Sequence, residues 1–369
     1  MEDAISVQKS VNKRKILISR IKRKFFKHVW FTRLLIILTV ILTLFILIIS
    51  AALVFRNSKL GFYTGLGSDF VLTPEDKIKS FEGRTNILIL GKGGKGHEAP
   101  DLTDTMILAS VSNKSDPTVF VSLPRDIWIP DLRAKINSAY YWGKQKGGGL
   151  ILAKSTVEEI VGIPVQYGIV VDFSGFKGVI DNIGGVDVDV ERSFVDEKYP
   201  IPGYESDQCN GDKEFHCRYE TIRFEKGIQH MDGETALKFV RSRNAGGDEG
   251  TDLARAARQQ KVIRAIRDKV LKPKTLLSVK RIKTLLKTVT ESIETDLDLS
   301  NIAILARHFL KSKEKINSYV LPQDFLINPP ISGKFDNQYV FIPQKGDWSD
   351  LHGWINCIIE QGENCETHK

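Results

Sequence analysis

The stretch NILILGKGGKGHEAPDLTDTMILASVSNKSDPTVFVSLPRD, residues 86–126, decides the fold. Three of its runs, Asn86–Leu90, Met106–Ser112 and Thr118–Ser122, are apolar, short and rich in Ile, Leu and Val, and turn residues bound them, which predicts three strands. Further along, helical spacing covers 150–161, a buried strand 166–171 and a helix 173–183. Val186–Val190 alternates apolar and acidic residues, as a half-buried strand does. Residues 196–227 are polar and rich in Pro, Gly and Cys, and read as an excursion. A helix follows at 233–240, two or three more lie between 252 and 310, and a last one lies near 348–359 after a short strand at 339–342. Strands alternating with helices predict an α/β domain with a central mixed sheet flanked by helices.

Upstream, residues 34–55 hold 22 consecutive residues without a charge. As a helix they would span roughly 33 Å, enough for a bilayer core. Residues 1–33 carry ten Lys or Arg against Glu2 and Asp3, which predicts a cytoplasmic N-terminus and an exterior for all that follows 55. The expected organisation is a basic cytoplasmic tail over 1–33, a transmembrane helix over 34–55, a stalk over 56–80, the main domain over 81–312 and a C-terminal extension over 313–369 packed on it. The expected location is the cell membrane, single-pass, with the domain extracytoplasmic. The tail accounts for the whole formal charge of +8, so the high pI points to an anionic membrane surface and not to nucleic acid. Four cysteines lie on the exterior side, Cys209 with Cys217 and Cys357 with Cys365 at equal spacing. Two local disulfides are expected there, with zinc at Cys209, His216 and Cys217 as the alternative.

Four clusters carry candidate chemistry. Gly91-Lys92-Gly93-Gly94-Lys95-Gly96-His97 follows a strand like a phosphate-cradling loop, but no Gly-Lys-Ser/Thr closes it as in a Walker A motif. A plain flexible loop is the bland alternative. Asp101 and Asp104 flank the start of the next strand, where a carboxylate pair suits Mg²⁺. Arg125 follows the third strand, where its guanidinium can fork onto a phosphate. The densest cluster is Arg241-Ser242-Arg243, a Gly-rich turn, and a helix opening at Asp252 with Arg255, Arg258 and Gln259. Arg255 and Gln259 stand four apart on one helix face. No Ser-His-Asp set or nucleophilic Cys is evident, and His97 and His230 read as surface or structural residues.

In their order, Asn86–Gly91, Leu102–Thr105, Ser122–Asp126, Lys135–Asn137, Val171–Phe176, Ile183–Val188, Ala236–Arg243 and Asp252–Gln260 make the chain resemble the LytR-CpsA-Psr family of cell-wall glycopolymer transferases over residues 85 to 270. The resemblance implies a domain that holds a polyprenyl-pyrophosphate-linked glycopolymer, its lipid tail in an apolar tunnel, and passes the phosphorylated polymer to peptidoglycan. The resemblance also implies hydrolysis of the polyprenyl pyrophosphate as a side activity. It implies Arg125, Arg241, Arg243, Arg255 and Gln259 as pyrophosphate contacts, Lys135, Asn137, Asp252 and Arg258 as further substrate contacts, and Asp104 as a Mg²⁺ ligand. One position departs from the pattern. An Asp is expected two residues after Gly91, where this chain has Gly93. Asp101 or Glu98 would replace that ligand, or Lys92 would stand in as a fixed cation. An alternative reading is a catalytically weak polyprenyl-phosphate sensor or scaffold. A transcriptional regulator fits less well, since the 33 cytoplasmic residues hold no helix-turn-helix.

Overall fold

The computed structural model describes residues 72–94, 99–114, 116–204, 206–311, 316–362 and 365, and a few positions between 19 and 50. The expected span 34–55 falls largely outside them, and among the described residues no helix is long and apolar enough to cross a membrane. The chain divides into two units, Met1–Gly67 and Ser68–Lys369. The second carries everything below.

The three expected strands form: β1 (Arg84–Lys92), β2 (Thr103–Ser112) and β3 (Thr118–Ser122), each antiparallel to the next. A small hairpin, β4 (Trp128–Ile129) and β5 (Ala134–Lys135), leads to helices α1 (Ala139–Gln145) and α2 (Leu150–Val161). β6 (Tyr167–Asp172) then runs parallel to β1. The apolar runs of β1 to β3 are continuous because both faces of the sheet are covered. Leu88, Leu90, Met106, Leu108, Val119 and Val121 pack on one face against Ala153, Val157 and Ile160 of α2. Ile87, Ile107, Ala109, Val111 and Phe120 pack on the other. In α2, Ala153, Val157 and Ile160 recur at helical spacing, which gives it one apolar face. Gly162 ends α2 at φ 74°, and a Cβ there would stand 2.4 Å from His352. Turn and close packing both require glycine at that point.

A second core lies beyond β6. Helix α3 (Phe173–Asn182) leads to β7 (Val186–Val190), then to β8 (Phe194–Pro200) and β9 (Tyr219–Phe224), then to β10 (Gly227–Met231) and α4 (Gly233–Arg241). β10 pairs with β7, and β8 with β9. Residues 196–227 therefore hold most of a two-stranded ribbon. Its sequence hid it because Asp196, an acid, points inward where an apolar residue is expected. The ribbon's far end is tied by a Cys209–Cys217 disulfide, so thiolate ligation of zinc does not apply there. Cys357 and Cys365 are also joined.

Four helices, α5 (Asp252–Leu271), the single turn α6 (Pro273–Leu276), α7 (Val279–Ser292) and α8 (Leu299–Lys311), fill the region where two or three were expected. Two strands the sequence did not announce complete the main sheet. β11 (Ile293–Thr295) pairs with β6, and β12 (Ile316–Val320) lies parallel to β3, giving the order β11-β6-β1-β2-β3-β12. β11 is three residues long, and β12 carries two polar residues in five, so neither shows a clear strand period. β13 (Leu326–Ile327) pairs with β14 (Ile342–Pro343), and α9 (Ser349–Gln361) buries Leu351, Ile355 and Ile358 beside α2. Residues 313–369 thus supply a sheet edge and part of the core as well as a flank.

Candidate active site

β1, β3, β6 and β12 run parallel to one another, so their carboxyl ends share one edge of the sheet with the start of β2. That edge is where ligands bind in α/β domains. It carries Lys92, Asp104, Arg125, Phe173 and Leu321. The C-terminus of α4 and the N-terminus of α5 bring Arg241, Arg243 and Arg255 to the same place. Asp232 caps α4 through the amide of Thr235, and Thr251 caps α5 through the amide of Ala254.

Two contiguous cavities result. The larger, about 300 Å³, is lined by Asp104, Thr105, Phe173, Lys198, Tyr219, Arg241, Arg243, Asn244, Arg255 and Gln259. The smaller, about 80 Å³, shares Asp104, Thr105, Arg255 and Gln259 with it, and adds Arg125 and the apolar Met106, Leu123, Leu321, Leu326 and Phe341. All five residues expected to contact a pyrophosphate, and Asp104 with them, therefore line one continuous site.

Arg125 and Arg241 each have a fixed setting. Arg125 Nη1 is ion-paired with Asp104 Oδ1, and its Nε lies 3.6 Å from Asp126, which Lys135 holds from the other side at 2.7 Å. Burial works against the charge on Arg125, but these two carboxylates outweigh it and hold its pKa above the ordinary value. Arg241 lies 4.1 Å over the Phe173 ring, and its Nη1 donates to the Tyr199 hydroxyl at 3.2 Å. Burial pushes Tyr199 up to about 12, so it stays a neutral phenol. Gln259 follows Arg255 by one helical turn on the same face.

Asp196, which sequence reasoning missed, organises the arginine loop. It is fully buried. Its Oδ2 accepts from Ser242 Oγ at 2.7 Å, Arg243 N at 3.0 Å and Asn244 N at 3.1 Å, and its Oδ1 from Lys198 N at 3.0 Å. Charge-assisted bonds of this kind are among the stronger ones a protein makes. Lys198 and Tyr219 bring the ribbon's contribution to the cavity wall, and they too lie in the polar stretch whose pattern gave no signal.

Other expected site residues are placed differently. Arg258 does not line either cavity. It is 3% exposed, and its Nε, Nη1 and Nη2 donate to Phe239 O, Glu249 O and Oε2, and Ser242 O at 2.7–3.0 Å. Three residues past Arg255 on α5, it is rotated by about 60°, and it clamps the α4–α5 turn. Asn137 is buried, with its amide donating to Arg125 O and its carbonyl accepting from Thr103 Oγ1. Lys135 reaches the site through Asp126. Asp252 opens α5, with its side chain outside the described residues. His230 pairs with Asp187 and lines neither cavity, and His97 is outside the described residues.

Of the expected carboxylate pair, Asp104 lines both cavities and Asp101 lines neither. Asp101 accepts from Lys92 at 2.7 Å and Lys144 at 3.2 Å, and the Lys92 bond, partly opposed by burial, holds its pKa below the usual carboxylate value. Lys92 also lies 5.2 Å from the Tyr140 ring centre. Glu98 is outside the described residues. Among the described residues, no cluster of three or more His, Cys, Asp or Glu includes Asp104. The donor set thus fits a Mg²⁺ held by one carboxylate together with substrate phosphates, and does not fit an all-protein cage. Gly94, at φ 76°, brings the loop after β1 against Asp172, where a Cβ would stand 2.9 Å from the Asp172 side chain.

A model of the LytR_cpsA_psr family matches residues 69–352. The polyisoprenyl-teichoic acid–peptidoglycan teichoic acid transferase TagU of Bacillus cereus is 28% identical over 256 residues, 68% of this chain and 73% of that protein. TagV of Bacillus subtilis, which carries the same transferase description, is 28% identical over 260 residues, 68% of this chain and 57% of that protein. The crystal structure of B. subtilis TagV covers 76% of this chain and 99% of its own, with a TM-score of 0.51 and 25% identity. The Lin1025 protein of Listeria innocua has the same fold, with a TM-score of 0.53 over 77% of this chain and 100% of its own, at 24% identity. The chain belongs to the LytR_cpsA_psr family.

Proposed function

We propose that this protein transfers a phosphorylated glycopolymer from a polyprenyl-pyrophosphate carrier to peptidoglycan. The observation that carries the reading is the convergence of Arg125, Arg241, Arg243 and Arg255 with Asp104 on one site. Guanidinium groups fork onto phosphate oxygens, and several around one cavity can hold a pyrophosphate from more than one side. At ~4 Å and an effective dielectric near 20, each cation attracts a phosphate charge by about 4 kcal/mol before desolvation. The transferase descriptions of the TagU and TagV relatives agree with the assignment.

In this reading a glycan hydroxyl attacks the phosphorus that bears the polymer. A new P–O ester forms, the bridging P–O bond breaks, polyprenyl phosphate leaves, and the hydroxyl proton passes to solvent. Such a transfer depends chiefly on positioning and charge stabilisation. The Asp104–Arg125 pair fixes one guanidinium at the smaller cavity. Phe173 and Tyr199 fix Arg241 in the larger one, and Asp196 fixes the backbone at Arg243. Arg255 and Gln259 border both cavities and suit the bridging region. A Mg²⁺ on Asp104 would neutralise phosphate charge. Half-buried Phe173, Phe176, Ile266 and Leu285 beside the second core, and Ile89, Ile169 and Ile316 on the sheet, offer apolar surface for the lipid tail. Hydrolysis by water in place of the glycan is the expected side reaction. The apolar run 34–55 behind a basic tail supports a single-pass anchor with this domain outside the cytoplasm.

The test is incubation of the protein with a lipid-linked sugar pyrophosphate and peptidoglycan. Appearance of a phosphodiester-linked conjugate is the expected result, and none forming at any metal concentration would defeat the reading. A second reading, a catalytically weak lipid-phosphate sensor, is favoured by one observation. Lys92 and Lys144 neutralise Asp101, which leaves Asp104 as the one carboxylate of the expected pair for a metal. Tight binding of the lipid pyrophosphate without transfer would support it.

A further inference from the structure

Transfer to a polysaccharide needs a second substrate surface, because the acceptor has to reach the phosphorus while the donor fills the arginine cavities. Two segments lead away from that site side by side. Phe341 N donates to Asp126 O and Trp128 N to Phe341 O, both at 2.9 Å, and Ile127 bridges Phe341 in parallel. At one end, Arg125 and Phe341 line the smaller cavity. At the other, Trp128, Pro130, Ile342 and Pro343 line a groove of about 800 Å³. Between the two ends the backbone turns at Arg125 and Asp126 and is extended only over Ile127–Ile129, roughly 10 Å.

The groove has the chemistry of a carbohydrate site. Trp128 and Phe335, both largely buried, meet edge to face at 5.7 Å beneath it, and half-buried Trp348 with His352 forms a wall that presents the accessible ring. Aromatic surfaces pack against the C–H faces of pyranose rings while polar groups reach their hydroxyls. Arg133, ion-paired with Asp336, and exposed Lys334 stand in a lining that also holds Glu159 and Asp347, so the groove offers both charges to a glycan whose stem peptides carry carboxylates and amines. The phosphate site at one end and a Trp348 wall with charges of both signs at the other favour an amino-sugar polymer with its stem peptides over an anionic membrane surface, which Glu159 and Asp347 would repel.

We propose that this groove holds the acceptor glycan strand, with Trp348, Arg133 and Lys334 as binding residues; the proposal rests on the transferase reading above. The test uses the full chain, a short peptidoglycan glycan strand with its stem peptides, and a lipid-linked sugar pyrophosphate. Trp348→Ala and the double variant Arg133→Ala/Lys334→Ala are compared with wild type for acceptor KM, donor KM and direct titration of the glycan without donor. The double variant changes only exposed side chains and loses one exposed ion pair, so its stability is expected to stay near wild type, which a thermal melt checks. The expected result is a rise on the order of tenfold in acceptor KM and in glycan Kd, with donor KM unchanged. Unchanged glycan affinity in the double variant, or a donor KM that rises with the acceptor KM, would overturn the groove. Absence of transfer in the wild type would defeat the transferase reading instead, and the glycan titration would still decide whether the groove binds.

Discussion

The carboxylate of Asp196 and the backbone amide of Arg243 lie 3.0 Å apart across 47 residues of sequence, and this bond joins the β8–β9 ribbon to the arginine loop. The same oxygen also accepts from Ser242 Oγ and Asn244 N. Asp196→Asn keeps the shape but replaces one acceptor oxygen with a donor amide facing other donors. Leaving buried amides unpaired costs about 1–3 kcal/mol. The variant is expected to melt earlier and to show a raised donor KM, because Arg243 loses its fixed backbone. Thermal melts and donor titration check this. An unchanged KM in a variant with lowered stability would show that Asp196 supports the fold alone.

Arg255 borders both cavities, so its removal should be felt most in the transition state. Arg255→Ala is expected to lower transfer on the order of 10²–10³-fold with an unchanged melting curve. Arg281→Ala, on α7 and lining neither cavity, serves as the control and should be near neutral. Equal losses in the two variants would remove Arg255 from the site.

Arg258 predicts the opposite pattern. Its donors go to Phe239, Ser242 and Glu249, so Arg258→Ala is expected to destabilise the protein by about 2–4 kcal/mol, from buried carbonyls left without their donor and a Glu249 left with Arg192 alone. Arg258→Lys should not restore it, because a single ammonium cannot span three carbonyl directions. Donor affinity measured well below the melting temperature should stay near wild type. A selective loss of donor affinity with normal stability would return Arg258 to the substrate contacts.

What the sequence made legible follows from how each residue signals itself. Arg125, Arg241 and Arg255 sit at strand and helix ends whose boundaries are marked by Pro, Gly and caps, so their places were readable, and the family resemblance implied that they converge. Arg258 was misplaced because three residues on a helix separate adjacent directions, and only packing decides which one faces the cavity. Asp196 was invisible because its partners in the arginine loop lie 46 to 48 residues away and a buried acid reads locally as a surface one. β12 was missed because it gains its strand character from pairing with β3 and not from its own composition. Asp101 looked like a metal ligand because spacing to Asp104 was legible, whereas the approach of Lys144 from α1 was not.

That approach gives the last prediction. Asp101 sits between Lys92 and Lys144, and its folded pKa lies below the ordinary value of 3.8. A depressed carboxylate pKa adds stability that is fully present above the unfolded value and is lost as pH falls through the folded one. The stability difference between wild type and Asp101→Asn is therefore expected to stay constant from neutral pH down to about pH 4 and to shrink below it. If Lys92 has taken the place of the missing ligand, Asp101→Asn should leave the Mg²⁺ concentration for half-maximal transfer within about twofold of wild type, because Asp101 is already paired with two ammonium groups and only Asp104 remains for the metal. Asp104→Asn should abolish the metal response and also release Arg125. Acid denaturation curves and Mg²⁺ titrations of the two variants measure both effects. A tenfold shift of the Mg²⁺ midpoint in Asp101→Asn would mean that Asp101 leaves its lysines to bind the metal, and the fixed-cation account of Lys92 would fail.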